Sequence, residues 1–350
     1  MLFEGANLTI FLRIQRNNLF YLCKITSVMR LQKYIIALIT SLFVFTACND
    51  PYRFTLSVTK KLTINQETTA TLTEKNNKQV DSIHFFVNGK RIASKGNSIK
   101  INTTNLGVGK HAITALAFYP EKTKKVNNSI EVLSDVEPTI YTYKIVNTYP
   151  HDKKAYTQGL EFYNGYLYET TGQYGKSVLR KVELKTGKVL QEQKLDSKYF
   201  GEGMTILNDK VFWLTWKASR GFVYDLATFK QEKQFSYTWS KEGWGLTNDG
   251  NHLIKSDGTH KIWYLDPTTQ EEKKSIQVYT NKYALNELNE IEYINGKIYA
   301  NKWQQNSIVI IDAQTGKVEG VANLSGLKKE VEKNQQLTDQ DEVLNGIAFD

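Results

Sequence analysis

Five short segments of this 350-residue chain share one pattern yet carry different residues at its first position: Gln158-Gly159-Leu160-Glu161-Phe162, Glu202-Gly203-Met204-Thr205-Ile206, Trp244-Gly245-Leu246-Thr247-Asn248, Asn289-Glu290-Ile291-Glu292-Tyr293 and Asn345-Gly346-Ile347-Ala348-Phe349. A purely structural position in a repeat tends to be filled by like, small or apolar residues, so a position that holds Gln, Glu, Trp and Asn in turn points to a site. The alternative is a set of polar caps that satisfy strand ends. Trp216 follows Glu202 by 14 residues and Trp303 follows Asn289 by the same 14. Indoles at a fixed offset from polar groups make an apolar wall beside a few hydrogen-bonding side chains, which is the usual make-up of a small-molecule pocket. Trp213, Trp239 and Trp263 read instead as core.

The elements that must position these residues follow from the same repeat. First residues fall 44, 42, 45 and 56 positions apart. Each unit runs on through an Asn-Gly or Asn-Asp turn (Asn164-Gly165, Asn208-Asp209, Asn248-Asp249, Asn295-Gly296) into a second strand, then a third that ends in an acidic turn, then a fourth. Such turns favour hairpins because both central residues need positive φ, and four antiparallel strands in about 45 residues make one propeller blade. The expectation is an all-β, five-bladed β-propeller over 140–350, its last blade incomplete because the sequence stops five residues after Asn345. The first strand of every blade lines the channel, so the five varied positions come round one mouth. Ile140 to Thr148 is expected as the outer strand of the last blade.

Upstream, runs of alternating residues from Tyr52, with a hairpin signal at Asn88-Gly89, predict a small immunoglobulin-like β-sandwich over 52–133, joined by a linker at 134–139. Before it, Met29 to Ala47 has the layout of a secretory signal: Arg30 and Lys33, then an apolar stretch too short to span a bilayer, then small residues. Phe45-Thr46-Ala47-Cys48 resembles a bacterial lipobox. Translation is expected to start at Met29, leaving 1–28 unmade, with 29–47 removed and Cys48 lipidated at the head of 48–51. The protein is then expected on the bacterial cell envelope, on the periplasmic or outer-membrane face, held to the membrane by its lipid.

Composition narrows the function. The formal charge is +9, but lysines alternate with acids rather than forming a stripe, which argues against a nucleic-acid partner. Cys23 and Cys48 are the only cysteines and the five histidines are scattered, so no cofactor or Cys/His metal site is expected. A structural cation on channel carbonyls stays open. The chain is expected as a monomer.

Tyr149-Pro150-His151-Asp152, Ala155-Tyr156-Thr157-Gln158-Gly159-Leu160, Tyr199-Phe200-Gly201-Glu202-Gly203-Met204-Thr205, Leu214-Thr215-Trp216, Glu242-Gly243-Trp244-Gly245-Leu246 and Leu288-Asn289-Glu290-Ile291-Glu292-Tyr293, in this order, resemble the plant and bacterial glutaminyl-peptide cyclotransferases. The resemblance covers Tyr143 to Asp350. It implies a five-bladed propeller that converts an N-terminal Gln of peptides and proteins to pyroglutamate with release of ammonia. It also implies a pocket of Tyr156 (more often Phe in the family), Gln158, Phe200, Glu202, Trp216, Trp244, Asn289 and Trp303. The family's last-blade lysine has no matching position here. In this reading Glu202 moves the proton, the indoles hold the bent side chain, and the Gln158 and Asn289 amides serve the carbonyl oxygen or the substrate backbone. The competing reading is a propeller that binds a ligand or partner, or acts as a scaffold, without chemistry.

Overall fold

The computed structural model describes residues 51–120 and 122–350. The expected start at Met29, the signal segment 29–47, Cys23 and the lipidation site Cys48 lie outside the described residues. Residues 51–53 and the turn 74–78 belong to one unit, in which the Glu74 carboxylate accepts N–H bonds from Arg53, Asn76 and Lys78 at 2.7–2.9 Å.

The rest forms a second unit, nearly all of it β-structure. Its first strands are β1 (Phe54–Ser57), β2 (Lys61–Thr63), β3 (Glu67–Glu74), β4 (Ser82–Val87), β5 (Lys90–Ile92), β6 (Ser98–Asn102), β7 (Gly109–Tyr119) and β8 (Lys122–Leu133). They make a three-stranded sheet, β1-β3-β6, and a five-stranded sheet, β2-β8-β7-β4-β5. Alternation decides which face is buried: His111, Ile113, Ala115, Ala117 and Tyr119 of β7 point inward, as a period of two requires. Asn88 and Gly89 take φ of 49° and 81° between β4 and β5, as their hairpin turn demands.

A short β9 (Thr139–Tyr141) leads into four blades. They are β10 (Thr157–Tyr163) to β11 (Tyr166–Thr171), β12 (Val178–Glu183) and β13 (Lys188–Lys194); then β14 (Gly201–Leu207), β15 (Lys210–Thr215), β16 (Arg220–Asp225) and β17 (Gln231–Ser236). After these come β18 (Leu246–Asn248), β19 (Leu253–Ser256), β20 (Lys261–Leu265) and β21 (Glu272–Gln277), then β22 (Leu288–Ile294), β23 (Lys297–Lys302), β24 (Ser307–Asp312) and β25 (Val318–Asn323). Each set is an antiparallel sheet in chain order, and a helix, α1 (Ser325–Glu332), follows.

The innermost strands touch their neighbours through the glycine of the repeat. A Cβ on Gly159 would lie 2.7 Å from the Met204 nitrogen, on Gly203 2.5 Å from the Leu246 nitrogen, and on Gly245 2.7 Å from the Ile291 nitrogen. Only glycine permits that approach. Gly346 abuts the Leu160 side chain, whose Cδ1 would lie 2.5 Å from an added Cβ, and its N–H donates to Asn301 Oδ1 at 2.9 Å. Residues 345–349 thus occupy the fifth place of the ring, between β22 and β10. The fourth repeat has Glu290 where the others have glycine, and this buried side chain accepts from the Leu160 N–H at 3.3 Å.

Three expectations need correction. Ile140 to Thr148 does not form the outer strand of a last blade: Thr139–Tyr141 pairs in parallel with the outer edge of β25, in the fourth blade, where Gly320 leaves room for the Tyr141 ring. In the third blade the turn is not Asn248-Asp249 but a longer one, closed by Asp249 Oδ1 on the Asn251 and His252 N–H groups at 2.9 and 2.6 Å, with positive φ at Gly250. Trp239 is not core; it is 59% exposed. The buried Glu272 carboxylate gathers the successive N–H groups of Thr238, Trp239 and Ser240, which fixes the loop backbone and turns the indole outward onto Trp263, 6.3 Å away between ring centroids.

Candidate active site

All eight residues expected in a pocket line one cavity of about 1570 Å³, large enough for the end of a peptide chain. The repeat explains how. Gln158, Glu202, Trp244 and Asn289 head the innermost strands. Two residues before them stand Tyr156, Phe200, Glu242 and Glu287; fourteen after them stand Gly172, Trp216, Gly258 and Trp303. In three blades the later residue donates its N–H to, or is joined through its neighbours to, the same rim: Gly172 to the Tyr156 carbonyl at 2.7 Å, Trp216 to Phe200 at 3.0 Å and Trp303 to Glu287 at 3.0 Å. In the third blade the Glu242 carbonyl accepts instead from the Lys255 ammonium, at 2.7 Å.

The glycines alternate with the indoles for a steric reason. A Cβ on Gly172 would strike the Phe200 ring at 2.5 Å, and one on Gly258 the Trp244 ring at 2.6 Å. Each glycine therefore admits an aromatic ring. The rings then pair: Phe200 with Trp216 at 5.5 Å, and Trp244 edge-on to Trp303 at 5.8 Å, with Tyr156 edge-on to Phe200 at 6.2 Å. The Tyr156 hydroxyl, which the usual Phe would lack, donates to the Asp341 carbonyl at 3.2 Å, and burial pushes its pKa up to about 12.

Glu202 is buried, 6% exposed, and its carboxyl has no hydrogen-bond partner among the described residues. Burial, and secondarily the charge of Glu242, hold its pKa well above the ordinary carboxylate range. A carboxyl raised in this way is suited to exchanging a proton with a reacting group. The same cavity is lined by a chain of amides: Asn289 Nδ2 donates to Asn345 Oδ1 at 3.1 Å, and Asn345 Nδ2 donates to Gln158 Oε1 at 3.2 Å and to the Thr157 carbonyl at 2.9 Å. Among the described residues this arrangement leaves Gln158 with a free donor, Nε2, and Asn289 with a free acceptor, Oδ1.

Sequence reasoning missed the role of Glu242, whose Oε2 accepts from both Trp216 Nε1 at 2.7 Å and Trp244 Nε1 at 2.9 Å. The signal was its repeat position, shared with Tyr156 and Phe200. It also missed the channel carboxyls below the pocket. Glu161 accepts from Thr205 Oγ1 at 2.7 Å and the Ile206 N–H at 2.9 Å, and Glu292 accepts from Thr247 Oγ1 at 3.2 Å; burial raises their pKa values to about 7 and about 8.

Comparison with known proteins places this geometry. The glutamine cyclotransferase family model matches residues 112–350. A glutaminyl-peptide cyclotransferase of Arabidopsis thaliana is 41% identical over 217 residues, which are 62% of this chain and 67% of that protein. The crystal structure of Myxococcus xanthus glutaminyl cyclase superimposes with a TM-score of 0.57 at 32% identity, covering 61% of this chain and 89% of that one. The chain belongs to the glutamine cyclotransferase family.

Proposed function

We propose that this protein is a glutaminyl-peptide cyclotransferase that closes the N-terminal Gln of peptides and proteins into pyroglutamate and releases ammonia, an acyl transfer to the substrate's own amine. The observation that carries the reading is a buried Glu202, its pKa raised by burial, that lines one cavity with the aromatic walls and a fixed pair of carboxamides. The attacking α-amine must be neutral, which costs little near neutral pH at a reference pKa of about 7.7–8.0. Trp216, Trp244 and Trp303 hold the bent Gln side chain so that the amine lies against its γ-carbonyl. The new C–N bond forms as the carbonyl oxygen gains charge, and Gln158 Nε2 donates to it. Asn289 Oδ1 accepts an N–H of the amine. Glu202 gives its proton to the departing nitrogen and takes one from the attacking nitrogen, so one proton moves, the old C–N bond breaks, ammonia leaves and the carboxyl returns to its starting state.

Ammonia release from a Gln-initiated peptide, with the same peptide acetylated at its amine as control, tests this reading. Turnover of the free peptide alone is the expected result; no turnover of either leaves a binding propeller. The mechanism uses no metal, so the rate is expected to survive EDTA. Loss of turnover with EDTA that zinc restores would overturn the metal-free route. We also propose attachment to the cell envelope through a lipid on Cys48, supported by the lipobox-like Phe45-Thr46-Ala47-Cys48; labelling with a radioactive fatty acid, abolished in Cys48→Ser, is the check.

A further inference from the structure

Of the two aromatic pairs of the pocket, Phe200 with Trp216 lies in the second blade, and Trp244 with Trp303 joins the third to the fourth. One carboxylate oxygen ties them together: Glu242 Oε2 accepts the indole N–H of Trp216, from the second blade, and of Trp244, from the third. The backbone around Glu242 is held as firmly as its side chain. Its carbonyl accepts from the fully buried Lys255, whose ammonium also lies 4.3 Å over the Tyr237 ring, and the next N–H, of Gly243, donates to the Trp216 carbonyl at 3.0 Å. Lys255 here replaces the backbone donor that serves this carbonyl position in the first, second and fourth blades. A residue whose carbonyl and carboxylate are both committed, and whose two indole partners face substrate, has the geometry of a clamp.

We propose that Glu242 is the positioning residue of the pocket, fixing Trp216 and Trp244 in one wall and setting the charge beside Glu202. The proposal rests on the cyclisation reading for its effect on rate, and on the structure alone for the clamp. Charge-assisted N–H bonds to a carboxylate are short and directional, so both indoles lose rotational freedom that substrate would otherwise have to remove. The groups with a charge effect on or around Glu202 are Glu242, ahead of β18, Tyr237, after β17, and Tyr156, ahead of β10, while Lys255 on β19 faces Glu242. Of these Glu242 raises the Glu202 pKa, so its removal lowers it.

The test uses the full chain with Glu242→Gln, Glu242→Ala and the conservative Glu242→Asp. In ¹⁵N-indole-labelled wild type, two N–H resonances are expected well downfield of the others. Both move back in Glu242→Ala and at least one in Glu242→Gln, while Glu242→Asp restores part of the shift. With a Gln peptide, Glu242→Ala is expected to lower kcat/KM by roughly 10- to 100-fold, the size of a small misplacement of substrate. Glu242→Gln moves the limb of the pH–rate profile that belongs to Glu202 to lower pH. Unchanged indole resonances in Glu242→Ala, or an unmoved limb in Glu242→Gln, would overturn the proposal. A wild type with two displaced indole resonances and no turnover would uphold the clamp and sink the cyclisation reading.

Discussion

The two-sheet unit of residues 54–133 and the propeller that follows it are built from the same alternating strands, yet they bury different things. Within the first, the buried polar side chains among the described residues are Thr103 and His111, and the inside is Phe85, Ile99, Ile113, Ile130 and their neighbours. Within the second, the innermost strands bury Gln158, Glu161, Glu202, Asn289, Glu290 and Glu292, and β19 buries Lys255. Burying such groups costs free energy unless they are paired, so their concentration round one axis marks where the fold gives up stability for a site. In the two-sheet unit every strand serves packing. In the propeller the outer strands serve packing and the inner ones carry chemistry.

That comparison breaks most directly with one substitution in each region. Glu202→Gln keeps the size of the side chain and removes the transferable proton, so kcat is expected to fall by roughly 10²–10⁴, with the melting temperature nearly unchanged. Phe85→Ala, at a fully buried position, is expected to cost about 3–5 kcal/mol of stability and to leave kcat/KM of the folded protein as it was. Ammonia release and thermal unfolding, run on both, give the two answers. A Glu202→Gln protein that turns over at near the wild-type rate would move the proton shuttle elsewhere.

The pH dependence of stability should have opposite signs in the two regions. Glu161 and Glu292 hold their protons in the folded state up to about pH 7 and about pH 8, whereas in the unfolded chain they ionise near 4.5. Their contribution is therefore complete below pH 4.5 and is lost as pH rises through 7 and 8. His111 runs the other way. Burial lowers its pKa from 6.5, so its contribution is present above that value and is lost as pH falls. All six tryptophans lie in the propeller, and their fluorescence reports its unfolding alone, while hydrogen exchange in β7 reports the two-sheet unit. Glu161→Gln and Glu292→Gln are expected to flatten the fluorescence-detected trend. A propeller that grows more stable between pH 5 and pH 8 would contradict the assignment.

The sequence carried the repeat, and the repeat carried the site: Gln158, Glu202, Trp244, Asn289, Trp216 and Trp303 were legible because equivalent positions in a ring must face a common axis. Tyr156 and Phe200 were read through resemblance, although their common place two residues before the varied position is itself a signal of the repeat. Glu242 shares that place, but its role went unread because its partners are indoles from two blades, and a distance between blades is not written in either strand. Trp239 failed for a related reason. Its exposure is set by Glu272, 33 residues away, gathering three N–H groups. The pairing of β9 with β25 was missed because an outer edge accepts any extended segment that reaches it.

The smallest expected effect comes from two glycines of the third blade that share a backbone conformation and differ in what surrounds them. Gly250 and Gly258 have φ of 84° and 75°, so an alanine at either is strained in the same way, at roughly 1–2 kcal/mol. Around Gly250 nothing lies within 4 Å of the added methyl; at Gly258 the methyl meets the Trp244 ring at 2.6 Å. Gly250→Ala should then lower the melting temperature slightly and leave kinetics alone. Gly258→Ala should lower it by a similar or somewhat larger amount and, in addition, push the indole against its bond to Glu242, raising KM several-fold with a lesser change in kcat. The pair separates backbone strain from displacement of the wall, because the first is common to both and the second belongs to one. Steady-state kinetics on the Gln peptide together with thermal unfolding decide it. Equal kinetics in the two variants would show that the third blade can shift Trp244 without cost, and that the site depends less on this wall than on the carboxyl and amides beside it.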